Sequence, residues 1–490
     1  MSSQIRQLEP PVPWNFFADL NAIPRPSKRE QRIAQWVMDF GKRHALEVLT
    51  DDFGNIIIKK PASPGREKGP VTILQGHLDM VHSKNADVKF DFETQGIDMF
   101  VDGDWVRARG TTLGADNGLG VAAILAVLAS KDISHPALEA LFTLDEEQGL
   151  GGAKNLGRGI LKGKVLLNLD TEEDHVLTIG CAGGIDTLVD WNYKQDETPA
   201  NLTAFKIKLS SLQGGHSGMD INRGRGNANK LLARVLMACL PSGLRISSFD
   251  GGNLRNEIPR EAGAVVAVRN VKKFQKLLAA ATEEVATEYR TVEPNLQVAA
   301  VETAIPAVVM RRADQAKFLN AIRSVHNGVY RMSPDIEGLV EASTNLSRVK
   351  LGDGHLRVES LQRSSVESSK ADVAAAFRAP FDLLGATVEN ANEYPGWKPN
   401  PNSKLVTKMA MKYQEMFGET PVIEACHAGL ECGIIGQAYK GLDMVSFGPL
   451  IMGAHSPDER ASVSSFQKFW GSISRCWQLF NTVCDLYIQR

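Results

Sequence analysis

Two adjacent carboxylates, Glu146 and Glu147, are the residues of this chain whose position most directly suggests chemistry. They follow an apolar run at 140–144 that is typical of a buried strand. Neighbouring side chains of an extended chain point to opposite faces, so one carboxylate can bind a metal ion while the other moves a proton. Taken alone, the pair is also consistent with two solvated glutamates at a strand end. The metal interpretation therefore needs further ligands elsewhere in the chain.

More potential ligands stand where loops should leave strands, namely His77, Asp116, Asp170 and His455. The spacings from His77 to Asp116, on to Glu147 and on to Asp170 are 39, 31 and 23 residues, which suits one strand and one crossover for each. Ligands of open α/β sheets gather outside the carboxyl ends of the strands. We therefore expect these side chains to converge on one site.

Each of these residues has an ordinary structural alternative. Asp116 lies in a glycine-rich turn and could simply cap the following helix, although the turn lacks both phosphate-loop motifs, G-x-x-x-x-G-K-[ST] and G-x-G-x-x-G. His82 competes with His77 but falls beyond the strand end, and His455 could be an exposed loop residue. The set as a whole favours two metals, because Asp116 could bridge ions about 3.5–4 Å apart. Asp79, two residues after His77, is placed to orient that imidazole.

Apolar strands that alternate with helices predict an α/β fold, with a mixed sheet sandwiched by helices. The predicted strands are 55–59, 71–74, 138–144, 164–169 and 442–447, and the predicted helices are 28–40, 121–130 and 466–487. These elements come from both ends of the chain, so the segment between them is predicted to be an insertion.

The central part of the chain has a different pattern. Strands at 204–209 and 356–359 alternate apolar with polar residues, as half-solvated antiparallel strands do. Helices are predicted at 227–240, 271–289, 313–326 and 370–384. We therefore predict a catalytic domain at 1–186 and 389–490, with an α+β lid domain inserted at 187–388. Ser-Leu-Gln occurs at 211–213 and again at 360–362, and unless this match is chance, the lid is a duplicated α+β unit.

Length and charge narrow the functional classes. At 490 residues the chain is too long for one hydrophobic core. The net charge of −2 leaves no basic surface for nucleic acid or an anionic membrane. The six cysteines form no C-x-x-C pair, and the first residues lack the apolar core of a signal peptide. We therefore expect free, mostly buried thiols and a cytoplasmic location.

The motifs occur in a specific order along the chain. They are Gln-Gly-His-Leu-Asp-Met-Val at 75–81, Leu-Gly-Ala-Asp-Asn-Gly at 113–118, Asp-Glu-Glu-Gln-Gly at 145–149, Asn-Leu-Asp at 168–170, Gly-His-Ser-Gly at 215–218 and Gly-Ala-His at 453–455. In this order they resemble the dinuclear zinc aminopeptidase and aminoacylase family that includes carboxypeptidase G and carnosinase. Within that family they resemble the aminoacyl-histidine dipeptidase branch. The resemblance covers essentially the whole chain and implies a zinc-exopeptidase-like catalytic domain.

The resemblance implies two divalent metal ions in each chain. His77 and Asp170 would hold one ion, and Glu147 and His455 would hold the other. Asp116 would bridge both, and in the family this residue precedes a cis peptide bond. Ligands of this kind suit Zn²⁺, although Co²⁺ or Mn²⁺ could replace it.

The resemblance also implies the catalytic and substrate-binding residues. Asp79 would orient the imidazole, and Glu146 would take a proton from the metal-activated water and pass it to the leaving amine. Substrate contacts would come from His216, Asn256, Arg363 and Gly429. His216 would donate to the oxyanion, and Arg363 would hold the C-terminal carboxylate. Each of these four could instead be an ordinary turn or surface residue.

The sequence thus predicts a metallodipeptidase that hydrolyses unblocked dipeptides, including Xaa-His substrates such as carnosine. An N-acyl amino acid deacylase or a tripeptidase could use the same metal site and stays open as the alternative. The expected partners are small dipeptides, with no nucleic acid and no membrane, and the chain is expected to form a homodimer. A duplicated lid could supply His216 within one chain, whereas simpler relatives take it from the partner subunit.

Overall fold

A computed structural model describes residues 3–477 of the chain. Its helices are α1 Pro11–Asn21, α2 Gln31–Arg43, α3 Ala115–Ala129, α4 Gly151–Lys154, α5 Ala228–Cys239, α6 Val271–Tyr289, α7 Arg312–Ser324, α8 Glu367–Leu384, α9 Lys404–Phe417, α10 Glu431–Ala438 and α11 Val463–Cys476. Within the described range, no helix combines the length and the apolar composition needed to cross a bilayer.

The strands are given in chain order. They are β1 Glu47–Thr50, β2 Ile56–Lys60, β3 Thr72–His77, β4 Met99–Asp102, β5 Trp105–Ala108, β6 Leu138–Thr143, β7 Val165–Asn168, β8 Val176–Cys181, β9 Gly183–Asn192, β10 Gln195–Glu197, β11 Thr203–Ser210, β12 Arg245–Gly251, β13 Ala262–Val268, β14 Gln297–Thr303, β15 Val308–Met310, β16 Gly328–Met332, β17 Val340–Gly352, β18 His355–Ser364, β19 Thr387–Tyr394, β20 Val422–Cys426, β21 Asp443–Ser446, β22 Ile451–Met452 and β23 Arg460–Ser462.

The chain forms two compact units, which are described separately. The first unit comprises the described residues of Met1–Gly180, Pro399–Ala425 and Leu430–Arg490, and the second comprises Cys181–Lys398 and Cys426–Gly429. The predicted insertion at 187–388 would cut strands β9 and β19. Because these two strands pair with each other along their length, both belong to the second unit.

The first unit is built on a mixed sheet with the strand order β1-β2-β6-β3-β7-β21-β8-β20. β3 is parallel to β6 and to β7, and β7 is parallel to β21. Their carboxyl ends therefore lie at the same edge of the sheet. Every residue of β3, β6 and β7 is buried, as expected for parallel strands in the interior of a sheet.

Helix α3 lies inside the first unit, in contact with α1 and β3. Every residue from Asn117 to Leu128 is buried, as expected for a helix that is apolar on all faces. The helix begins irregularly. Gly114 has a left-handed φ of 71°, Asp116 and Asn117 depart from helical dihedral angles, and the peptide bond between them is cis.

The first unit also contains a small antiparallel sheet with the order β22-β23-β5-β4. The sequence analysis did not identify these short strands. They matter because the loop between β22 and β23 carries His455, so the pairing of Ala461 with Val106 fixes where that loop starts and ends.

The second unit contains a sheet with the order β14-β11-β13-β12-β17-β18-β9-β19, and β16 pairs with β17 outside this order. All of its pairings are antiparallel. Helices α5 to α8 bury apolar residues, such as Val235, Phe318 and Phe377, in one core with the sheet. The Asn227 side chain caps α5 by accepting hydrogen bonds from the backbone N–H groups of Asn229 and Lys230.

These two architectures confirm the predicted fold class, an α/β domain with an inserted α+β domain. The Ser-Leu-Gln repeat has different local structures, because 211–213 follows strand β11 whereas 360–362 lies inside β18. The duplication of the lid therefore stays a prediction. The predicted helix at 466–487 overlaps α11, and its part beyond residue 477 lies outside the described residues.

Helix α8 offers a matched test of the second core. Phe381 is fully buried, whereas Leu383, two residues further on, is 91% exposed. Phe381→Ala should lower the free energy of unfolding by about 3–5 kcal/mol, through lost burial and a residual cavity. Leu383→Ala should change it by less than about 0.5 kcal/mol. Denaturant unfolding of both variants measures the difference, and equal effects would contradict this assignment of the core.

Candidate active site

The predicted metal ligands converge in the first unit, with Asp116 at their centre. Its Oδ1 lies 3.0 Å from Nε2 of His77, and its Oδ2 lies 3.3 Å from Nε2 of His455. Asp170 Oδ1 is 3.3 Å from Nε2 of His77, and Glu147 Oε2 is 3.0 Å from Nε2 of His455. The described residues contain three groups whose potential ligand atoms lie no more than 4.8 Å apart. Two of them share Asp116, and the third consists of His77, Glu146 and Glu147.

The topology of the sheet explains this convergence. His77 is the last residue of β3, and it lies in register with Thr143, the last residue of β6. Glu147 follows β6, and Asp170 follows β7, the neighbour of β3 on its other side. His455 comes from the β22–β23 loop, where it adopts a left-handed φ of 66°. Ligands far apart in sequence therefore meet where the parallel strands end.

Burial and the carboxylates together set the electrostatics of the centre. Burial alone would raise the pKa of Asp116, but His455 and His77 outweigh it and hold that pKa below its ordinary value. Hydrogen bonds to Asp116 and Glu147 raise the pKa of His455 to about 11. Burial raises the pKa of Asp170, and burial together with Asp116 raises that of Glu147. The site therefore has more negative charge than its imidazoles balance.

The donor set fits a pair of divalent cations. Among the described residues, Glu147 Oε1 is buried without a hydrogen-bond partner. A buried carboxylate oxygen is costly unless it is paired or binds a metal, and Glu147 belongs to one of the groups around Asp116. Imidazole nitrogens with carboxylate oxygens suit Zn²⁺, Co²⁺ or Mn²⁺.

Asp79 contacts the imidazole of His77 and the backbone of the two glutamates, Glu146 and Glu147. Its Oδ1 lies 3.4 Å from Nδ1 of His77. The same carboxylate accepts hydrogen bonds from the backbone N–H groups of Glu146 and Glu147, at 3.0 and 3.2 Å, and from the Ser27 hydroxyl at 2.8 Å. The sequence pattern suggested the first contact but not the others. One buried side chain therefore places the imidazole and the glutamate pair together.

A buried polar network extends along the strands that carry the ligands. Glu431 Oε2 accepts hydrogen bonds from Gln75 Nε2 at 2.6 Å and from Thr143 Oγ1 at 2.7 Å. Asn168 donates to Gln75 Oε1, and the Ser446 hydroxyl donates to Asn168. Burial raises the pKa of Glu431 to about 7. The sequence analysis missed this network, although polar residues inside buried strands were the available signal.

His82, the alternative ligand to His77, is not part of the centre. The ring of His82 packs edge-on against Phe92, with 6.0 Å between ring centroids. None of the potential metal-binding groups within residues 3–477 includes His82. His77 is therefore the histidine of this segment that meets the carboxylates.

The predicted substrate-binding residues all lie in the second unit, and two of them occupy paired loops. The backbone N–H of Ser217 donates to the carbonyl of Asn256, and that of Ile258 donates to Gly215, both at 2.8 Å. These two hydrogen bonds hold the loop of His216 against the loop of Asn256. The Asn256 side chain itself is exposed.

The hydrogen bonds of His216 define which ring nitrogen carries a proton. Its Nδ1 accepts from the backbone N–H groups of Gly218 and Met219, at 3.3 and 3.1 Å. An imidazole nitrogen that accepts carries no proton, so the proton of the neutral ring is on Nε2. His216 therefore presents Nε2–H as a hydrogen-bond donor.

Arg363 lies beside that donor. Its Nη2 is 3.5 Å from His216 Nε2, and its Nη1 donates to the Tyr394 hydroxyl at 2.9 Å. Its buried Nε has no hydrogen-bond partner among the described residues. The Tyr394 ring fits where glycines leave room, since a Cβ on Gly184 or Gly429 would lie 2.6 or 3.0 Å from it. Adjacent donors of this kind suit an anion.

His427 is a further residue of this cluster that the sequence analysis did not single out. Its Nε2 is 2.7 Å from the Ser343 hydroxyl. Burial, with Arg363 and His216 nearby, lowers the pKa of His427 to about 3. This histidine is therefore neutral at physiological pH.

Comparison with known proteins identifies the family. Residues 73–477 match the model of Peptidase family M20/M25/M40. The chain belongs to this family. The resemblance and the peptidase class predicted from the sequence are thereby confirmed, as is the type of fold.

Two relatives match this family member over nearly its whole length. The cytosol non-specific dipeptidase of Escherichia coli (strain K12) is 40% identical over 471 residues, 96% of this chain and 97% of that protein. The crystal structure of aminoacylhistidine dipeptidase from Vibrio alginolyticus has a TM-score of 0.90 and 42% identity, covering 98% of each chain. Aminopeptidase PepT from Bacillus cereus, with a TM-score of 0.56 and 17% identity over 97% of this chain and 100% of that one, shares the fold.

The double role of Asp79 can be tested with a matched control. Asp79→Asn keeps the size of the side chain but replaces one acceptor oxygen by a donor, so we expect metal affinity to fall about 10–100-fold. Asp51→Asn is the control, because Asp51 accepts backbone N–H bonds from Phe53, Gly54 and Asn55 away from the ligands. Competition with a chromogenic chelator measures the affinity. Equal affinities in both variants would rule out the role of Asp79.

Proposed function

We propose that this chain is a metal-dependent dipeptidase that hydrolyses unblocked dipeptides, including Xaa-His substrates. The observation that carries the proposal is Asp116, whose two oxygens face two separate His–carboxylate groups. The printed names of the two relatives at 40–42% identity, a non-specific dipeptidase and an aminoacylhistidine dipeptidase, support the substrate class. The cytosolic location in the first of these names supports a cytoplasmic protein.

We further propose that the centre holds two divalent ions, most simply Zn²⁺, with Co²⁺ or Mn²⁺ as possible replacements. His77 and Asp170 would hold one ion, Glu147 and His455 the other, and Asp116 both. When bound, such ions lower the pKa of water and polarise a carbonyl oxygen. With Asp116 shared between them, both ions would be available to one peptide bond.

Glu146 is the proposed general base. Its backbone N–H is fixed by Asp79 at 3.0 Å, whereas Glu147 is engaged by His455. Burial raises the pKa of Glu146 well above its ordinary value, and Asp170 and Glu431 add to the effect. A carboxylate of raised pKa can hold the proton that it takes from water, and then give it to the leaving amine.

The centre has more carboxylates than its imidazoles balance, and this favours a substrate with a free, positively charged amino group. Burial, with Asp116 and Asp170 nearby, raises the pKa of Glu172 to about 8, while His455 opposes the shift. A carboxylate in these surroundings gains from a cation. The α-ammonium group of an unblocked dipeptide supplies that charge, whereas an N-acyl amino acid has none at this end.

The second unit supplies the proposed contacts to the rest of the substrate. His216 Nε2–H would donate to the oxyanion that develops on the carbonyl oxygen. Arg363 would bind the C-terminal carboxylate through its guanidinium group. We assign further substrate contacts to Asn256 and to the backbone of Gly429. A homodimer stays a prediction, and light scattering coupled to size exclusion would measure the oligomeric state.

Chelation and metal add-back test the reaction directly. The chelated enzyme should lose hydrolysis of β-Ala-His and of other dipeptides, and recover it with Zn²⁺, Co²⁺ or Mn²⁺. Glu146→Gln should bind metal normally but lose about 10²–10⁴-fold in kcat, whereas Glu147→Gln should lose metal. Full activity after chelation would exclude the mechanism. Faster turnover of N-acetyl amino acids or of tripeptides would instead establish one of the alternative activities.

The assignment of Arg363 predicts a loss that depends on the substrate. Arg363→Lys should lower kcat/KM for a dipeptide by about 10–150-fold, which corresponds to a charged hydrogen bond of about 1.5–3 kcal/mol. The same dipeptide with an amidated C-terminus should be affected much less. Arg357→Lys on the same strand is the control, since Arg357 pairs with Asp190 and Glu359. Equal losses for both substrates would contradict carboxylate binding by Arg363.

A further inference from the structure

We propose that Arg25 and Glu459 are positioning residues that hold the ligand-bearing segments of the metal centre in place and thereby set its affinity for metal ions. This inference rests on the proposed metal centre. Both residues are buried, with 2% of their surface exposed. Neither belongs to the potential metal-binding groups among residues 3–477, so neither residue acts as a ligand there.

Glu459 binds the backbone that leads to the bridging ligand. Its Oε2 accepts from the N–H groups of Leu113 and Gly114, at 2.6 and 2.9 Å. Its Oε1 accepts from Ala115 and Asp116, at 2.7 and 3.3 Å. Consecutive N–H groups that converge on one side chain require an acceptor with several lone pairs, and the carboxyl group of Glu459 offers them on both of its oxygens.

The same carboxylate links two ligands of one proposed ion. Glu459 lies four residues after His455 in the β22–β23 loop, and its own N–H donates to Ser456 at 3.1 Å. The loop of His455 is therefore tied to the segment that carries Asp116. Without this tie, the distance between the two ligands would depend on the loop alone.

Arg25 binds the same segment from its carbonyl side. Its Nη2 donates to the carbonyl of Gly114 at 2.6 Å and to Asn21 Oδ1 at 3.0 Å. Its Nη1 donates to the carbonyls of Leu78 and Asp79, both at 3.1 Å. The guanidinium group thus joins the segment after His77 to the segment before Asp116. His77 and Asp116 are both proposed ligands of the other ion.

Glycines make this close approach possible. A Cβ on Gly114 would lie 2.6 Å from Arg25 Nη2 and 2.8 Å from Met80 Sδ, and a Cβ on Gly118 would lie 2.6 Å from the same Nη2. Gly114 also has a left-handed φ of 71°, which other residues rarely adopt. Two of the glycines in the turn at 110–120, Gly114 and Gly118, therefore make room for the arginine side chain.

Arg25 and Glu459 both bind the loop that precedes Asp116, the first through a carbonyl group and the second through N–H groups. Gly114 offers its N–H to Glu459 and its carbonyl to Arg25, so the peptide groups before Asp116 cannot rotate without breaking charged hydrogen bonds. Three ligand segments, those of His77, Asp116 and His455, are connected through this one pair. Groups that orient metal ligands in this way commonly contribute about 10–100-fold to metal affinity.

The test compares metal affinity with the stability of the metal-free protein. Glu459→Gln and Arg25→Lys, prepared as apoproteins, should bind Zn²⁺ about 10–100-fold more weakly than the wild type in competition with a chromogenic chelator. Their thermal unfolding without metal should match that of the control variants within a few degrees. A residue of purely structural importance would instead lower the stability of the apoprotein and leave the affinity of the folded fraction unchanged.

The controls make the same substitutions at buried sites away from the ligands. Glu139 accepts the backbone N–H groups of Lys162 and Gly163, at 2.8 and 2.9 Å, and Arg245 donates to the carbonyl of Met310 at 2.8 Å. Glu139→Gln and Arg245→Lys should retain wild-type metal affinity.

Three results would overturn the inference. These are wild-type affinity in both test variants, an equal loss of affinity in the controls, and test apoproteins that fail to fold while the controls fold. A wild-type protein that binds no Zn²⁺ would instead refute the proposed metal centre itself, so the two failures are distinguishable.

Discussion

The carboxylates of Asp116, Glu147 and Asp170 surround two imidazoles, and like charges in one buried site raise the pKa of one another unless cations balance them. Burial increases the cost, as the raised pKa values of Glu147 and Asp170 show. The first unit is therefore organised around a deficit of positive charge. The proposed divalent ions would meet that deficit, and membership in a peptidase family gives such ions a chemical use.

Repulsion between the carboxylates would push their backbone segments apart unless other contacts held those segments in place. Hydrogen bonds hold them around the start of α3, where Asn117 Nδ2 donates to the carbonyl of Leu169 at 2.5 Å, next to Asp170. Two glycines leave the space for that side chain, because a Cβ on Gly76 would lie 2.3 Å from Asn117 Oδ1 and one on Gly120 would lie 2.3 Å from the Leu169 carbonyl. Glycine and asparagine in these motifs are therefore parts of the scaffold.

Much of the centre could be predicted because its ligands follow apolar strands, and strand ends are readable from the sequence. His77 and Asp170 are of this kind. The supporting residues could not be predicted in the same way. Arg25 precedes α2 and Glu431 begins α10, so their sequence positions carry no pattern that points to a metal, and only the packed structure brings them to the ligand segments. Short strands such as β22 were missed because two residues carry no periodicity.

The domain boundaries show the same limit. The predicted insertion begins at residue 187, but strand pairing decides where a unit begins, and the ladder between β9 and β18 runs from Gly183 to Asn192. The return of the chain to the second unit at Cys426–Gly429 had no compositional signal either. Gly429 in that segment was predicted by resemblance alone. His427, in the same segment, was not predicted.

The hydrogen-bond donors that are proposed to bind the substrate lie in the second unit. The Nδ1 of His216 accepts two backbone N–H bonds, so the proton of the neutral ring is on Nε2, and Nη2 of Arg363 lies 3.5 Å from that nitrogen. His427, with a pKa of about 3, is neutral. Glu146, the proposed general base, lies in the first unit, where burial, with Asp170 and Glu431, raises its pKa. The proposed contacts to the substrate and the proposed transfer of a proton from water to the leaving amine are thus assigned to separate units.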